Sequence, residues 1–198
     1  MSYNLDDIDY KILYLLQRDA SLSVADIASR IGLSPTPCWK RIKKMEEEKI
    51  ILGSVVLVNP KKVNCPLITF VMIKTNDHSD EWATSFLNVV RSFPEIISIY
   101  RITGEYDYMF VVIAKDVAAY DDLYRRLVKS VNVKLFDVTS LFALEILKRT
   151  TVIPLPINDV DFLERVKAIS SNSANVYESQ SDETATSEKE EKDKIQVV

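Results

Sequence analysis

The chain has 198 residues, of which 47% are apolar and 27% charged, and its formal net charge is −4. Its three glycines, single histidine and two widely separated cysteines argue against glycine-rich phosphate loops, histidine-based catalytic triads and four-ligand zinc sites. Without an apolar run of membrane-spanning length or a signal-peptide pattern, the sequence predicts a cytoplasmic protein with reduced thiols and with neither a metal nor a cofactor.

The acidic character is concentrated at the C-terminal end. Residues 1–60 are neutral, whereas residues 151–198 carry five basic and ten acidic side chains. The low pI therefore does not argue against a nucleic-acid ligand. Residues 155–198 are predicted to be an acidic, serine-rich tail with one short helix in INDVDFLERVKAIS and disorder from Ser170 onward.

The N-terminal residues predict two amphipathic helices. Apolar residues recur at helical spacing in LDDIDYKILYLLQRD, which predicts the first helix. In LSVADIASRIGL, Ser23 and Asp26 form a capping-box pattern, and Gly32 suits a left-handed C-cap. The pattern therefore predicts a second helix that ends at Gly32 and is followed by a short turn.

The stretch SPTPCWKRIKKME, residues 34–46, contains two prolines and then four positive charges within five residues. With Ser34 at the N-cap, Pro35 and Pro37 fall in the first helical turn, where backbone N–H groups have no intrahelical partner. The prolines are therefore compatible with a third helix, and the three helices together predict a helix-turn-helix.

The third helix is predicted to bury one face and to present another to DNA. Cys38, Ile42 and Met45 repeat at core spacing, which favours a buried Cys38 over a redox sensor. For Trp39, packing beside this core is favoured over stacking on a DNA sugar. The residues predicted to contact bases or phosphates are Ser34, Thr36, Lys40, Arg41, Lys43 and Lys44. A face that is merely solvated is the alternative.

After residue 50 the pattern changes to strands. IILGSVVLVNP predicts a β-turn-β unit, a wing or a linking strand, that closes a first domain at 1–60. From 61 to 154 the order β-α-β-β-α-β is typical of a ferredoxin-like domain with an antiparallel sheet, so the fold class is α+β. The second helix of this domain is predicted to face inward with Tyr120, Leu123, Leu127, Val128 and Val131.

The strands of the second domain are LITFVMIK, IISIYRI, YMFVVIA and FDVTSLFALEILK, and they are apolar on both faces. Helices on one side cover only one face of such a sheet. The other face is most simply buried by a second copy of the chain, so the sequence predicts a homodimer.

Together these features resemble the Lrp/AsnC family, the feast/famine transcriptional regulators of bacteria and archaea. The resemblance covers roughly residues 4–154 and is carried by LDDIDYKILYLLQRDA, GLSPTPCWKRIKKME, ILG followed by LVNP, and GEYDY. It implies a DNA-binding domain, a domain that senses a small molecule, and assembly into dimers and often octamers.

In this family an amino acid usually binds at contacts between dimers, beside a G-[DE]-[YF]-D turn and part of the last strand. The corresponding residues here are Gly104, Glu105, Tyr106, Asp107, Leu141, Phe142 and Ala143. Asp107 is expected to bind the ammonium group of the effector, and backbone N–H groups near Gly104 its carboxylate. From the residues alone, a plain hairpin turn capped by Asp107 is the alternative. SVNVKLFDV, before the last strand, departs from the family by lacking a Pro-Gly turn.

Four segments, TPCWKRIKKMEE, HSDEW, GEYDY and YRRLVKSV, are most similar to the cysteine-responsive bacterial members, which implies cysteine as a candidate effector. We therefore predict a sequence-specific DNA-binding transcriptional regulator, not an enzyme, that responds to an amino acid through its oligomeric assembly. The alternatives are an effector-independent, nucleoid-like architectural DNA-binding protein, and an enzyme or metabolite-binding module with a vestigial helix-turn-helix.

Overall fold

A computed structural model describes residues 3–130 and 135–167 of the chain. The chain divides into two compact units, one comprising residues 1–56 with 146–198 and the other residues 57–145. The sequence-based division at residues 60 and 154 differs from this arrangement because the segment after residue 146 returns to the N-terminal helices.

Three helices form the N-terminal part of the first unit: α1, Asp7–Arg18, α2, Val24–Ile31, and α3, Pro35–Glu47. A capping box starts α1, because the Asp6 carboxylate accepts the Asp9 N–H and the Asp9 carboxylate accepts the Asp6 N–H. Two first-turn donors are thereby satisfied, which fixes the start of the helix.

Both predicted ends of α2 are confirmed. The Ser23 hydroxyl accepts the Asp26 N–H, and the Asp26 carboxylate accepts the Ser23 N–H. Gly32 adopts a φ of 74°, in the left-handed region, and its N–H donates to the carbonyl of Ala28. Because α3 follows after Leu33 and Ser34, the connection has the length that a helix-turn-helix requires.

The proline-rich start of α3 is also formed as predicted. Ser34 has an extended backbone, with φ −81° and ψ 156°, and Pro35 is the first helical residue. Cys38, Ile42 and Met45 are buried, so Cys38 is a core residue, and burial raises the pKa of its thiol. The rest of this core consists of Ile12, Leu13, Tyr14, Leu15, Ile27, Ala28, Phe162 and Val166.

Residues 50–60 form no strand, and the predicted β-turn-β unit is therefore wrong for the described part of the chain. A strand needs partners for its backbone N–H and C=O groups, and no described strand pairs with this segment. Five of its apolar side chains are exposed: Leu52, Val55, Val56, Leu57 and Val58. A single 3₁₀ turn, Pro60–Val63, follows.

The second unit has the predicted β-α-β-β-α-β order. Its elements are β1, Leu67–Thr75, α4, Asp80–Arg91, β2, Ile96–Arg101, β3, Tyr108–Ala114, α5, Val117–Ser130, and β4, Leu135–Phe142. The strands form an antiparallel sheet in the order β2-β3-β1-β4, which is the ferredoxin-like arrangement. One face packs on α4 and α5 around Phe86, Phe110 and Leu123.

Two details of this unit differ from the prediction. β4 ends at Phe142 rather than near residue 148. Val128 is 45% exposed instead of facing the core, because the buried stripe of α5 is limited to Tyr120, Leu123 and Leu127. Val131 and the rest of residues 131–134, in the SVNVKLFDV segment, lie outside the described residues.

The other face of the sheet carries no helix and is nevertheless apolar. Strand alternation places Met109, Val111 and Ile113 of β3 on this face, opposite the buried residues of the same strand. Across the ladders, Phe70 of β1 is paired with both Val111 and Leu141, so these three side chains adjoin one another. Phe70 is 36% and Leu141 53% exposed in the single chain. We refer to this surface as the open sheet face.

The described part of the C-terminal segment of the first unit includes α6, Val160–Lys167. The side chains of Phe162 and Val166 are 1% and 2% exposed, within the core formed by α1, α2 and α3. The predicted short helix is therefore present. The part of the predicted tail from residue 168 onward lies outside the described residues.

Across residues 3–130 and 135–167, no helix combines the length and apolarity needed to cross a bilayer. The same residues contain no group of three or more His, Cys, Asp or Glu side chains arranged to hold a metal ion.

Candidate DNA-binding face and effector site

The outward surface of α3 lies opposite its buried face. Thr36, Lys40 and Lys43 are exposed at the i, i+4 and i+7 spacing that places them on one side of a helix. Ser34, just before the helix, is also exposed, and its side chain makes no capping hydrogen bond. One hydroxyl-bearing and two lysine side chains are thus exposed on one side of the helix, and Ser34 is exposed just before it.

Trp39 also belongs to this surface. Its side chain is 49% exposed, so the predicted packing role beside the core is wrong. The exposure of Trp39 could have been predicted from helical spacing, because it lies three residues after Thr36 and four before Lys43 and so shares their side of the helix. We refer to Ser34, Thr36, Trp39, Lys40, Lys43 and Lys44 as the outward face of α3.

Arg41 does not share this orientation. Its Nη1 lies 2.7 Å from Asp6 Oδ2 and 2.9 Å from Asp9 Oδ1, both at the start of α1. The Asp9 side chain is 1% exposed and also accepts a hydrogen bond from the Tyr3 hydroxyl. Hydrogen bonds to Asp9 and Asp6 raise the pKa of Arg41 above its ordinary value. The predicted phosphate contact of Arg41 does not fit this geometry, in which the guanidinium joins α3 to α1.

The lysines of α3 differ in their partners. Lys43 Nζ lies 2.6 Å from Glu46 Oε2, and Lys44 Nζ lies 2.8 Å from Glu48 Oε1. Exposed pairs of this kind are weak, so a phosphate group can replace either glutamate. Lys40 has no ion-pair partner among the described residues. Lys40 can therefore contact a phosphate without first breaking an ion pair, unlike Lys43 and Lys44.

The predicted effector turn connects β2 to β3. Gly104 has a φ of 117°, a conformation that side chains other than glycine's rarely adopt. Glu105 is exposed. The Tyr106 hydroxyl lies 3.0 Å from Thr139 Oγ1, which joins the turn to β4. The turn is thus held over the β4 side of the sheet.

Asp107 has structural partners of its own. Its Oδ2 accepts the N–H of Thr75 at 2.8 Å, and its backbone N–H donates to the carbonyl of Ile73 at 2.9 Å. The other carboxylate oxygen, Oδ1, lies 3.9 Å from His78 Nδ1. Through Oδ2, Asp107 therefore caps the end of β1, as the hairpin alternative expects. Oδ1 has no hydrogen bond among those described and faces His78.

The second part of the predicted effector site lies at the opposite end of β4. Leu141 pairs with Phe70, and the Ala143 N–H donates to the carbonyl of Ile68 at 2.9 Å. Phe142 lies edge-on against Tyr120, with ring centroids 5.4 Å apart. Thr75, which Asp107 binds, is five residues along β1 from Phe70, a rise of about 17 Å. One chain alone therefore does not bring Asp107 and residues 141–143 together.

Two family models match the chain. The AsnC-type helix-turn-helix domain matches residues 5–46, and the Lrp/AsnC ligand binding domain matches residues 68–153. The first includes the outward face of α3 and the Arg41 contacts, and the second includes the Gly104–Asp107 turn. Both matches end before α6.

Curated relatives agree with these models. The chain is 47% identical over 151 residues to the DNA-binding transcriptional activator DecR of Escherichia coli K12, covering 76% of this chain and 99% of the relative. It is 40% identical over 156 residues to the glutamate uptake regulatory protein of Zymomonas mobilis, covering 79% of this chain and 94% of that protein.

Solved structures show the same fold. An AsnC family transcriptional regulator from Agrobacterium tumefaciens is 47% identical with a TM-score of 0.72, over 76% of this chain and 97% of the other. A transcriptional regulator from Neisseria meningitidis, solved in complex with L-Met, is 31% identical with a TM-score of 0.72, over 77% and 98% of the two chains. The chain therefore belongs to the Lrp/AsnC family, whose members are DNA-binding transcriptional regulators and not enzymes.

Proposed function

We propose that the protein binds double-stranded DNA through the outward face of α3 and that an amino acid controls this binding. The observation that carries the proposal is the alignment of Thr36, Lys40 and Lys43 on the solvent side of a helix whose opposite side is core, with Ser34 exposed just before that helix. A helix of this kind fits the major groove, with its N-terminal hydroxyls near base edges and its lysines near phosphates.

Lys40→Ala tests the DNA-binding face. Because Lys40 has no described partner to lose, the variant is expected to fold normally and to bind operator DNA about three- to tenfold more weakly at low salt. The slope of log K against log salt is expected to fall by about 1 when one phosphate contact is removed. Fluorescence anisotropy with a labelled duplex measures both quantities.

The matched control is Lys115→Ala, which removes an exposed lysine from the second unit. It is expected to leave affinity and salt slope unchanged. An equal loss in the two variants would mean that overall charge, rather than the face of α3, determines binding.

We further propose that the DNA-binding form is a dimer joined through the open sheet face. Phe70, Val111 and Leu141 form a continuous apolar surface there, and their burial requires a partner surface of the same character. A second copy supplies one by twofold symmetry and presents two α3 helices to a palindromic site. The exposed apolar side chains of residues 52–58 favour the same association, because strand-like segments without a partner pair readily. Higher assemblies such as octamers are compatible with this dimer.

The effector is proposed to be an amino acid that binds near the Gly104–Asp107 turn. The support from this chain is the free Oδ1 of Asp107, which offers a negative charge to an ammonium group. Because residues 141–143 lie about 17 Å away along the sheet, they complete the site only if another protomer supplies them. Cysteine is the first candidate, and methionine and glutamate follow from the relatives described above.

Asp107→Asn separates the two roles of this side chain. The amide oxygen keeps an acceptor for the Thr75 N–H, while the negative charge is removed. We expect the melting temperature of the free protein to be nearly unchanged and the thermal shift produced by the effector to be abolished. Asp121→Asn, which loses an exposed pair with Arg125, is the control and is expected to keep the shift.

If none of the twenty amino acids changes the melting temperature or the DNA affinity of the unmodified protein, an architectural DNA-binding protein without an effector becomes the better description. A DNA-binding regulator of this kind is proposed to act in the cytoplasm and to need no cofactor.

A further inference from the structure

α6 is an element of this chain that neither family model covers. The ligand-binding model ends at residue 153, and α6 comprises Val160–Lys167. The helix is nonetheless fully integrated into the first unit, since Phe162 is 1% and Val166 2% exposed. The extension beyond the family match is thus attached to the DNA-binding unit.

Two contacts attach α6 and the residue before it to α1. The ring of Phe162 lies edge-on to Tyr14, with centroids 5.6 Å apart. Lys11 Nζ lies 2.5 Å from Asp159 Oδ2, and this hydrogen bond, together with the Phe162 N–H, lowers the pKa of Asp159. Lys11 and Tyr14 are on a different side of α1 from Asp9, which binds Arg41 of α3. α1 therefore separates α6 from α3.

The residues that follow α6 are opposite in charge to the outward face of α3. Residues 168–198 carry seven acidic and three basic side chains. Lys40, Lys43 and Lys44 are exposed, and Lys40 has no described partner. Because these acidic residues are covalently joined to α6, any contact between them and the lysines is intramolecular and has the effective concentration of a tethered ligand.

The segment is long enough to reach the lysines. Its 31 residues span up to roughly 100 Å when fully extended. A folded unit of about 80 residues has a radius of gyration of about 12 Å. The path around α1 from the end of α6 to α3 is therefore well within its length.

From these observations we propose that residues 168–198 occupy the lysine-bearing outward face of α3 when DNA is absent, as an intramolecular competitor of DNA. The inference rests on the proposed DNA-binding role of α3. A duplex has to displace the acidic segment, so the segment sets the lowest DNA concentration at which the protein responds.

The first test compares the 198-residue chain with two altered forms by fluorescence anisotropy. One ends after Lys167, and one has the seven acidic residues of the segment replaced by amides. Both are expected to bind DNA about three- to tenfold more tightly than the 198-residue chain at low salt, because DNA no longer has to replace several weak, exposed ion pairs. The difference is expected to shrink as salt screens these pairs. The seven residues are Glu178, Asp182, Glu183, Glu188, Glu190, Glu191 and Asp193. Unchanged affinity in both forms would overturn the inference.

A variant of opposite sign gives a further check. Replacing Lys189, Lys192 and Lys194 with glutamine makes the segment more acidic and is expected to weaken DNA binding below that of the full chain. Tighter binding in this variant would contradict the proposed competition, because added negative charge in the segment would then not oppose DNA.

Zero-length carbodiimide crosslinking, which joins lysine amines directly to carboxylates, tests the contact itself. We expect crosslinks from Lys40, Lys43 or Lys44 to residues 178–193, lost when DNA is added, with little crosslinking to Lys115. Tighter binding after truncation without these crosslinks would indicate long-range repulsion of DNA and would overturn the proposed contact. If the crosslinks form but neither the parent chain nor any variant binds DNA, the contact would stand and the proposed DNA-binding function would be refuted.

Discussion

Arg41→Ala is expected to destabilise the first unit by about 2–4 kcal/mol, while leaving the salt dependence of DNA binding unchanged. The substitution removes the only described cation that contacts Asp9, whose side chain is 1% exposed. Removing one member of a buried pair leaves an uncompensated charge, which typically costs about 3–5 kcal/mol. We expect a somewhat smaller loss because Asp6, the other partner, is half exposed. Urea unfolding followed by circular dichroism measures the change.

The second substitution of a double-mutant cycle identifies the cause. Asp9→Asn removes the buried charge and is expected to restore part of the stability lost in Arg41→Ala. Arg41→Lys is expected to remain destabilised, because an ammonium group does not reproduce the geometry with which the guanidinium contacts both carboxylates. A fully stable Arg41→Ala variant whose salt slope falls by about 1 would show that Arg41 contacts phosphate after all.

Val111→Asp is expected to convert the protein to monomers and to weaken DNA binding by at least about tenfold. Val111 lies in the third strand of the chain beside Phe70, near the centre of the open sheet face. A carboxylate at that position would be buried without a partner in a symmetric dimer, twice per interface, which costs several kcal/mol. The loss in DNA affinity follows because a monomer presents one α3 helix instead of two. Sedimentation velocity measures the association state.

The control for this variant is Ala118→Asp, which adds the same charge to an exposed position of α5. It is expected to remain dimeric. The folded monomer is expected to tolerate the aspartate, because the open sheet face is already partly exposed in the single chain. Circular dichroism then distinguishes dissociation from unfolding, because a folded monomer keeps its secondary structure. A dimeric Val111→Asp protein would place the interface elsewhere.

Much of the fold follows from short-range patterns in the sequence. Ser23 with Asp26 starts α2 and Gly32 ends it, because capping depends on residues within one helical turn; Pro35 in the first turn marks the start of α3. Short apolar runs bounded by turn residues identify the four strands for the same reason. The order of these elements was sufficient to predict an antiparallel ferredoxin-like sheet.

Two of the incorrect predictions concern interactions between residues far apart in sequence. Arg41 has the charge of a phosphate ligand, but its partners Asp6 and Asp9 lie 35 and 32 positions earlier. Helical periodicity does not reveal such a pairing. Residues 50–60 have the composition of a strand, but composition does not supply the neighbouring strand that a ladder requires.

The effector site shows a similar limit. The turn at Gly104 was identifiable from its motif, whereas the separation of Asp107 from residues 141–143 depends on the register of β1 and β4. Register between strands far apart in sequence follows from tertiary packing rather than from local composition.

The return of residues 146–167 to the first unit has a consequence for biosynthesis. The core of the first unit is complete only when Phe162 is available, more than one hundred residues after the end of α3. At translation rates of 5–20 residues per second, the ribosome takes roughly 6–23 s to supply that residue. During this interval α1 lacks its aromatic neighbour, and nascent helices with an uncovered apolar surface are the species that chaperones bind. The first unit, although it contains the N-terminal helices, is therefore among the last parts of the polypeptide to complete its folding.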